Sequence, residues 1–437
     1  MSTTCGLVGV VSPDQSVDIS DVLAAMRAIQ HSGMQSWGIA SLEDGVLVGQ
    51  AQAGMLPDQE AQLKPRPIAM AIGHVGCSAR TDNAKREGKM ATGREGEEEN
   101  VKQPVLVQSK RGEFAVAFNG CLGYIARQHP GDPGATDVLR VAAGVSRHPS
   151  GNWTEAIHDV SASCVAAFSV IVMTVDGLYY VRGVRGYRPL VMADIEARSE
   201  AAGSASWKVV IAASESAACE ALHNRLSKRH PELTLTLRHR AVQPGSLGRV
   251  RLDGSWNEWA IKRHHRDATP GDALNASAAL HQRCSLEAVH FMRGGGHFDE
   301  LDIDYFREEC GRELARQDKR DGNIYDFATT LVVGCPRGGI AAGRGYAAAA
   351  CLPYAQVLRA TSKVTRSPSL NGRVVRKRKQ RPQLIVDGDL RGKIVIFVDD
   401  FVVRAMTVRQ AVRLFREAGA SEVHVRIAAP SVRSNCV

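Results

Sequence analysis

The sequence predicts two domains of different class, an α+β domain followed by an α/β domain built on a parallel sheet. Three observations predict it. The first half is made of short apolar or alternating runs separated by Gly, Asp and Asn, with two amphipathic helical stretches among them. The second half alternates helix, apolar strand and helix, the pattern of parallel strands joined by crossover helices. Between them lies a polar segment rich in Arg and His, residues 262–272, which reads as a linker. At 437 residues the chain is also too long for one ordinary core. Domains of residues 5–261 and 273–437 follow.

In the first domain, strands are expected at residues 7–11, 68–72, 114–118, 168–174 and 209–213, and helices near 19–29 and 137–143. In the second, helices are expected at 303–316, 340–350 and 407–418, and strands at 330–334, 393–398 and 423–427. The strand set is rich in Val and Ile, and the helical set repeats its apolar residues every three or four positions.

With 44% hydrophobic and 23% charged residues the composition is that of a globular protein. No apolar run reaches the roughly 20 residues that a membrane span needs. The N-terminus lacks the basic region of a secretory leader. Ten cysteines occur without a CxxC pair, which favours reduced thiols and a cytoplasmic location over a disulfide framework. The net charge is +9, much of it in residues 359–381, which include Arg376-Lys377-Arg378-Lys379. That run holds no aromatic residue to stack on a base, so a solvated loop outweighs a nucleic-acid site.

Cys5-Gly6 opens an apolar strand. Taken alone, an early cysteine is usually a small core residue. Three further segments add to it: Ile29-Gln30-His31-Ser32-Gly33, Ile72-Gly73-His74-Val75 and Phe118-Asn119-Gly120. In order and spacing these resemble the class II glutamine amidotransferase domain. Asp176-Gly177-Leu178-Tyr179, Arg185-Gly186-Tyr187-Arg188-Pro189-Leu190 and Ala213-Ser214-Glu215-Ser216 extend the resemblance to the amidophosphoribosyltransferase family, over nearly the whole chain. The resemblance implies an N-terminal-nucleophile (Ntn) hydrolase αββα sandwich, then a type I phosphoribosyltransferase parallel sheet. It implies a reaction moving the glutamine amide nitrogen to phosphoribosyl pyrophosphate (PRPP) to give phosphoribosylamine, the first step of purine synthesis.

In that family the cysteine is the first residue of the mature chain, and its own α-amine is the general base. Cys5 would be this nucleophile once residues 1–4 are removed. Asn119 and Gly120 match the oxyanion hole. The anchors of the glutamine backbone are replaced. The family's Gly-His-Val-Arg-Tyr-Ser-Thr reads Gly73-His74-Val75-Gly76-Cys77-Ser78-Ala79, so the arginine for the α-carboxylate is Gly76. The aspartate for the α-ammonium is Ala135, and the family's Gln-His-Arg-Gly-Gln reads Gln30-His31-Ser32-Gly33-Met34. Each hydrogen bond to a charged group is worth roughly 1.5–3 kcal/mol, so losing both anchors weakens glutamine binding on the order of 10² to 10⁴-fold.

In the second domain an apolar strand ends in Asp399-Asp400 before a helix, a plausible ribose and phosphate site and equally a helix cap. It resembles the phosphoribosyltransferase fingerprint Val-Asp-Asp-Ser-Ile-Val-Arg-Gly-Thr-Thr. By that resemblance Asp399 and Asp400 hold the ribose of PRPP and its magnesium ion, and the following loop cradles the 5-phosphate. Phe401, Ala405 and Met406 depart from the fingerprint, while Arg404 and Thr407 keep it. The family's pyrophosphate loop Pro-Asp-Ser-Gly reads Pro336-Arg337-Gly338-Gly339, where Arg337 offers a new cation.

Cys284 and Cys436 fall where two of four iron–sulfur ligands lie in some family members, and two thiolates do not hold a cubane, so no cluster is expected. The leading expectation is an amidophosphoribosyltransferase-like protein of weak or lost activity, a pseudoenzyme acting in a homo-oligomer or with a paralogous partner. The alternatives are a working enzyme of the same plan, with the same or altered substrates, and a nucleic-acid binder acting through the basic run.

Overall fold

The computed structural model describes residues 5–57, 66–76, 102–125, 136–199, 205–261, 284–361, 383–402 and 405–431. They form two compact units. The first reaches Glu287 and includes Gly296–Glu300; the second comprises Ala288–Gly295 and Leu301–Arg433. The expected linker, 262–272, lies outside the described residues, as does Arg376-Lys377-Arg378-Lys379.

The first unit begins with β1 (Gly6–Val11), β2 (Val17–Asp18), α1 (Ile19–Ala28), β3 (Ser36–Glu43) and β4 (Val46–Ala53). There follow β5 (Pro67–Ile68), β6 (Met70–Gly76), β7 (Val105–Ser109), β8 (Gly112–Ile125), α2 (Asp137–Arg147) and α3 (Trp153–Ser163). It closes with β9 (Cys164–Thr174), β10 (Gly177–Arg182), β11 (Val191–Arg198), β12 (Ala205–Ala213), α4 (Ser216–Arg229), β13 (Thr234–Ala241), β14 (Ser246–Arg251) and β15 (Trp256–Ala260).

Two antiparallel sheets carry the unit, in orders β13-β11-β12-β1-β6-β3-β4 and β15-β14-β10-β9-β8-β7. Alternation along the strands sorts their side chains into three layers. Val8, Val10 and Val75 face Val22 and Met26 of α1 and Leu222 of α4. Leu7, Ile72, Ala115, Ala117 and Ile171 meet between the sheets. Phe114, Val116 and Val172 face Val141 of α2 and Ile157 of α3. This is the expected αββα sandwich. The strand expected at 68–72 divides: Ile68 pairs with Val17, while Met70–Gly76 pairs along the whole of β1.

Helix α1 starts where it does because Asp18 caps it. Its carboxylate accepts from the Ser20 and Asp21 amides (2.7 and 3.2 Å), and Asp21 accepts from the Asp18 amide (2.8 Å). Such a cap contributes about 1 kcal/mol. Arg225 and Arg229 of α4 then bind the same two acids, joining the two helices.

The second unit contains α5 (Ile303–Arg320), β16 (Thr330–Gly334), α6 (Gly339–Ala350), β17 (Leu358–Thr361), β18 (Gln383–Val386), β19 (Ile394–Asp399), α7 (Met406–Glu417) and β20 (Glu422–Ile427). Strands β16, β19 and β20 form a parallel sheet with β19 in the centre, as the alternation predicts. Strand β19 is almost entirely buried, which explains its unbroken Val/Ile/Phe run. Helices α5 and α6 touch backbone to backbone. A Cβ at Gly311 would lie 1.8 Å from the Ala342 carbonyl oxygen, and one at Gly345 would lie 1.9 Å from that of Glu308. No helix among the described residues is long and apolar enough to cross a membrane.

Candidate functional site

Cys5 stands immediately before β1, and the pairing of Gly6 with Val75 sets it beside Gly76 on β6. It is buried, and its backbone N–H donates to Asn119 Oδ1 (3.0 Å) across the two sheets. Strand alternation places Asn119 on the same inward face as Ala115 and Ala117. Gly120 follows with φ +151, and a Cβ there would lie 2.2 Å from the Ala167 carbonyl oxygen, so only glycine fits. Cys5 and Asn119 thus meet at one end of the sandwich, with Gly120 next to Asn119 on β8.

The neighbourhood of the missing arginine is filled. A Cβ at Gly76 would meet the His74 ring at 2.3 Å, and one at Gly33 would meet the Gly76 backbone at 2.4 Å. His74 is buried, and among the described residues neither ring nitrogen makes a hydrogen bond of full geometry. Burial pushes its pKa down to about 4, against a weaker pull from the Phe118 backbone, so the ring is neutral at pH 7. Ser32, at the family's arginine position, donates to buried Glu215 (3.1 Å), which also pairs with His31 (3.0 Å). Ser214 anchors the strand, accepting from the Leu7 amide (2.8 Å). Ala135 lies outside the described residues; two positions on, Asp137 accepts from the Leu122 amide (2.9 Å).

Two buried arginines hold the loop between β10 and β11. Arg182 donates to the Arg188 and Gly186 carbonyls (3.1 and 2.9 Å) and to Asp299 (2.6 Å). Arg188 pairs with Glu287, both almost wholly buried. Burial lifts the Glu287 pKa, and the Arg188 charge opposes it.

In the second unit Asp399 and Asp400 sit at the carboxyl end of β19, both buried. Asp399 Oδ1 accepts from the Asp400 amide (2.9 Å), and Asp400 Oδ2 accepts from His290 Nδ1 (2.9 Å). Burial, then the Asp400 charge, lifts the Asp399 pKa; the Asp400 hydrogen bond raises that of His290. The Phe401 ring packs tilted against His290, ring centroids 5.5 Å apart and planes at 44°. Exposed Arg337 holds φ +77 in the loop that opens α6. Ala405, in the family's glycine position, holds φ +52, a strain of about 1 kcal/mol for a residue with a Cβ. Thr407 is exposed in the first turn of α7, and Arg404 lies outside the described residues.

Gly338 makes this arrangement possible: a Cβ there would fall 1.6 Å from Asp400 Oδ2. Gly338→Ala is therefore expected to displace the carboxylate and destabilise the second unit by about 1–3 kcal/mol. Chemical denaturation of wild type and variant measures it, and equal midpoints would mean that Asp400 yields without cost.

At Asp399 and Asp400 the implied magnesium would find one oxygen of each carboxylate already taken, Asp399 Oδ1 by a backbone N–H and Asp400 Oδ2 by His290. Magnesium is bound by one or two carboxylates while substrate phosphates and waters complete its octahedron, so the rest of its shell would have to come from the ligand.

Sequence reasoning gave no role to His290, His74 or the Arg188–Glu287 pair. His74 and Arg188 lay inside quoted motifs, but nothing in the string marked their burial. His290 meets its partner 110 positions away and carried no local signal.

Residues 307–431 match the phosphoribosyl transferase domain family. Over 99% of its length the chain is 27% identical to an amidophosphoribosyltransferase of Synechocystis sp., covering 78% of that protein. It is also 27% identical to an Archaeoglobus fulgidus amidophosphoribosyltransferase, with 99% and 84% covered. A Bacillus subtilis one is 26% identical, with 100% and 81% covered. Among solved structures, one described as the allosteric regulatory enzyme of purine biosynthesis superposes with a TM-score of 0.71 at 24% identity, covering 99% of this chain and 82% of that one. A Bacillus subtilis glutamine PRPP amidotransferase complexed with ADP and GMP gives 0.69 at 23%, with 99% and 83% covered.

Proposed function

We propose that the chain is a divergent member of the amidophosphoribosyltransferase family of purine biosynthesis, to whose members it is 26–27% identical over nearly its whole length, and that its own transfer of an amide nitrogen from glutamine to PRPP is weak or lost. One observation carries the reading: the space beside Gly76 holds the neutral, buried His74 ring. A glutamine α-carboxylate entering there would lose its water and meet Gly76 where the family has its arginine, which is costly for an ionised group.

The reaction makes demands on Cys5. Its thiol proton must pass to a base as sulfur bonds to the amide carbon. The negative oxygen then rests on the Asn119 amide and the Gly120 N–H, and ammonia leaves. While Cys5 is joined to Thr4 its nitrogen is an amide, whose lone pair is delocalised into the carbonyl and cannot take that proton. In the second unit Asp399 and Asp400 take the ribose side of the ligand, and Arg337, Arg404 and Thr407 take the phosphate side. The protein acts in a reducing cytoplasmic setting, as a homo-oligomer or with a paralogous partner. A second reading, a working enzyme with altered substrates, is favoured by the joint presence of Cys5, Asn119, Gly120, Asp399 and Asp400.

Glutamine hydrolysis is to be measured for the full chain and for protein starting at Cys5, each against Cys5→Ala. We expect no rate above that control in either form. Turnover that Cys5→Ala abolishes, or a 6-diazo-5-oxonorleucine adduct on Cys5 seen by mass spectrometry, would sink the reading for the first unit.

A further inference from the structure

We propose that His290 takes the place of a divalent cation at Asp400, so that the pocket at the end of β19 binds the ribose-phosphate part of its ligand without a metal. This rests on the reading of the second unit as a phosphoribosyl site.

The placement of His290 is built in from several sides. Arg307, itself buried, donates through Nε to the Ala288 carbonyl (2.9 Å) and through Nη2 to the Met292 carbonyl (2.7 Å), so the backbone is held on both sides of His290. The ring is flanked by Phe291 (centroids 5.1 Å) and Phe401 (5.5 Å). Its Nδ1 reaches Asp400 Oδ2 at 2.9 Å, and the Gly338 backbone closes on that same oxygen. Oδ2 is therefore occupied, and a cation seeking it would have to displace a side chain that is 38% exposed but packed by two aromatic rings on a pinned backbone. Oδ1 remains for a ribose hydroxyl. The Nδ1–H is a donor whether or not the ring carries a second proton, so the arrangement does not depend on titration. Phe401 gains a purpose on this view: it packs the histidine against the carboxylate.

The test is calorimetric titration of the full chain with ribose 5-phosphate, in EDTA and in excess magnesium. Wild type is expected to bind with affinities that agree within about twofold, and His290→Phe to bind at least about tenfold more weakly in EDTA, the loss of one hydrogen bond to a charged group. Magnesium should restore the His290→Phe affinity. His290→Gln, which keeps a donor, should bind like wild type in EDTA. Wild-type binding that needs magnesium overturns the proposal and leaves the phosphoribosyl reading standing. So does tighter binding by His290→Phe in EDTA, which would make the histidine a plug. No binding in either condition defeats the phosphoribosyl reading, and the proposal with it.

Discussion

Arg188→Met is expected to destabilise the first unit by about 3–5 kcal/mol, because it strands the buried Glu287 carboxylate in a site that cannot hydrate it. Glu287→Leu alone removes a carboxylate from beside a buried guanidinium and should also destabilise the unit. The double variant removes both charges and should recover most of the loss, since replacing a whole buried pair by apolar groups is often close to neutral. The pair also links the Arg185-to-Leu190 loop to residues a hundred positions further along, so its loss should loosen that loop. Burial already lifts the Glu287 pKa, and removing Arg188 lifts it further. The single-variant penalty should therefore shrink as the solution is acidified and the stranded acid takes up a proton. Equilibrium urea unfolding of the two single variants and the double variant checks it. Strict additivity of the two losses would show that the charges do not act as a pair.

The second large effect belongs to His74 and appears as a pH slope. Its folded pKa is about 4 against 6.5 for an exposed histidine. Between these values the unfolded chain binds a proton that the folded chain refuses. Stability from this residue is thus complete above pH 6.5 and is lost as pH falls toward 4. The loss is on the order of 3 kcal/mol. Asp137 and Glu287, whose carboxyl pKa values are raised, act in the opposite sense as pH falls. The readout is therefore the difference between wild type and His74→Met. That variant should flatten the acid limb of the stability curve, whatever offset its own packing adds. Parallel curves across this window would mean that the ring is hydrated in solution.

Local elements were well marked in the sequence. Strand β16 and the starts of α1 and α5 fall where the pattern put them, because alternation and helical period reflect burial directly. Strand β13 was passed over although Thr234-Leu235-Thr236-Leu237 alternates, since its Arg-His-Arg end reads as loop. Helix α4 was missed because its apolar residues are diluted by charge. The site was legible only where one motif contained it. Cys5 and Asn119 are 114 residues apart, and resemblance to a family brought them together. The His290–Asp400 bond and the burial of His74 depend on how distant strands stack, and no local window of sequence contains that.

The seam between α5 and α6 bears on the order in which the second unit assembles. Gly311 meets Ala342, and Gly345 meets Glu308, contacts that close loops of about thirty to forty residues. Partners β16 and β19 must instead come together across about sixty residues, including the whole of α6. The helix pair can thus form first and offer the nascent sheet a rigid wall. Because the two backbones meet without intervening side chains, this early step is insensitive to which side chains line the end of β19. Residues there can in this way vary while the fold is kept.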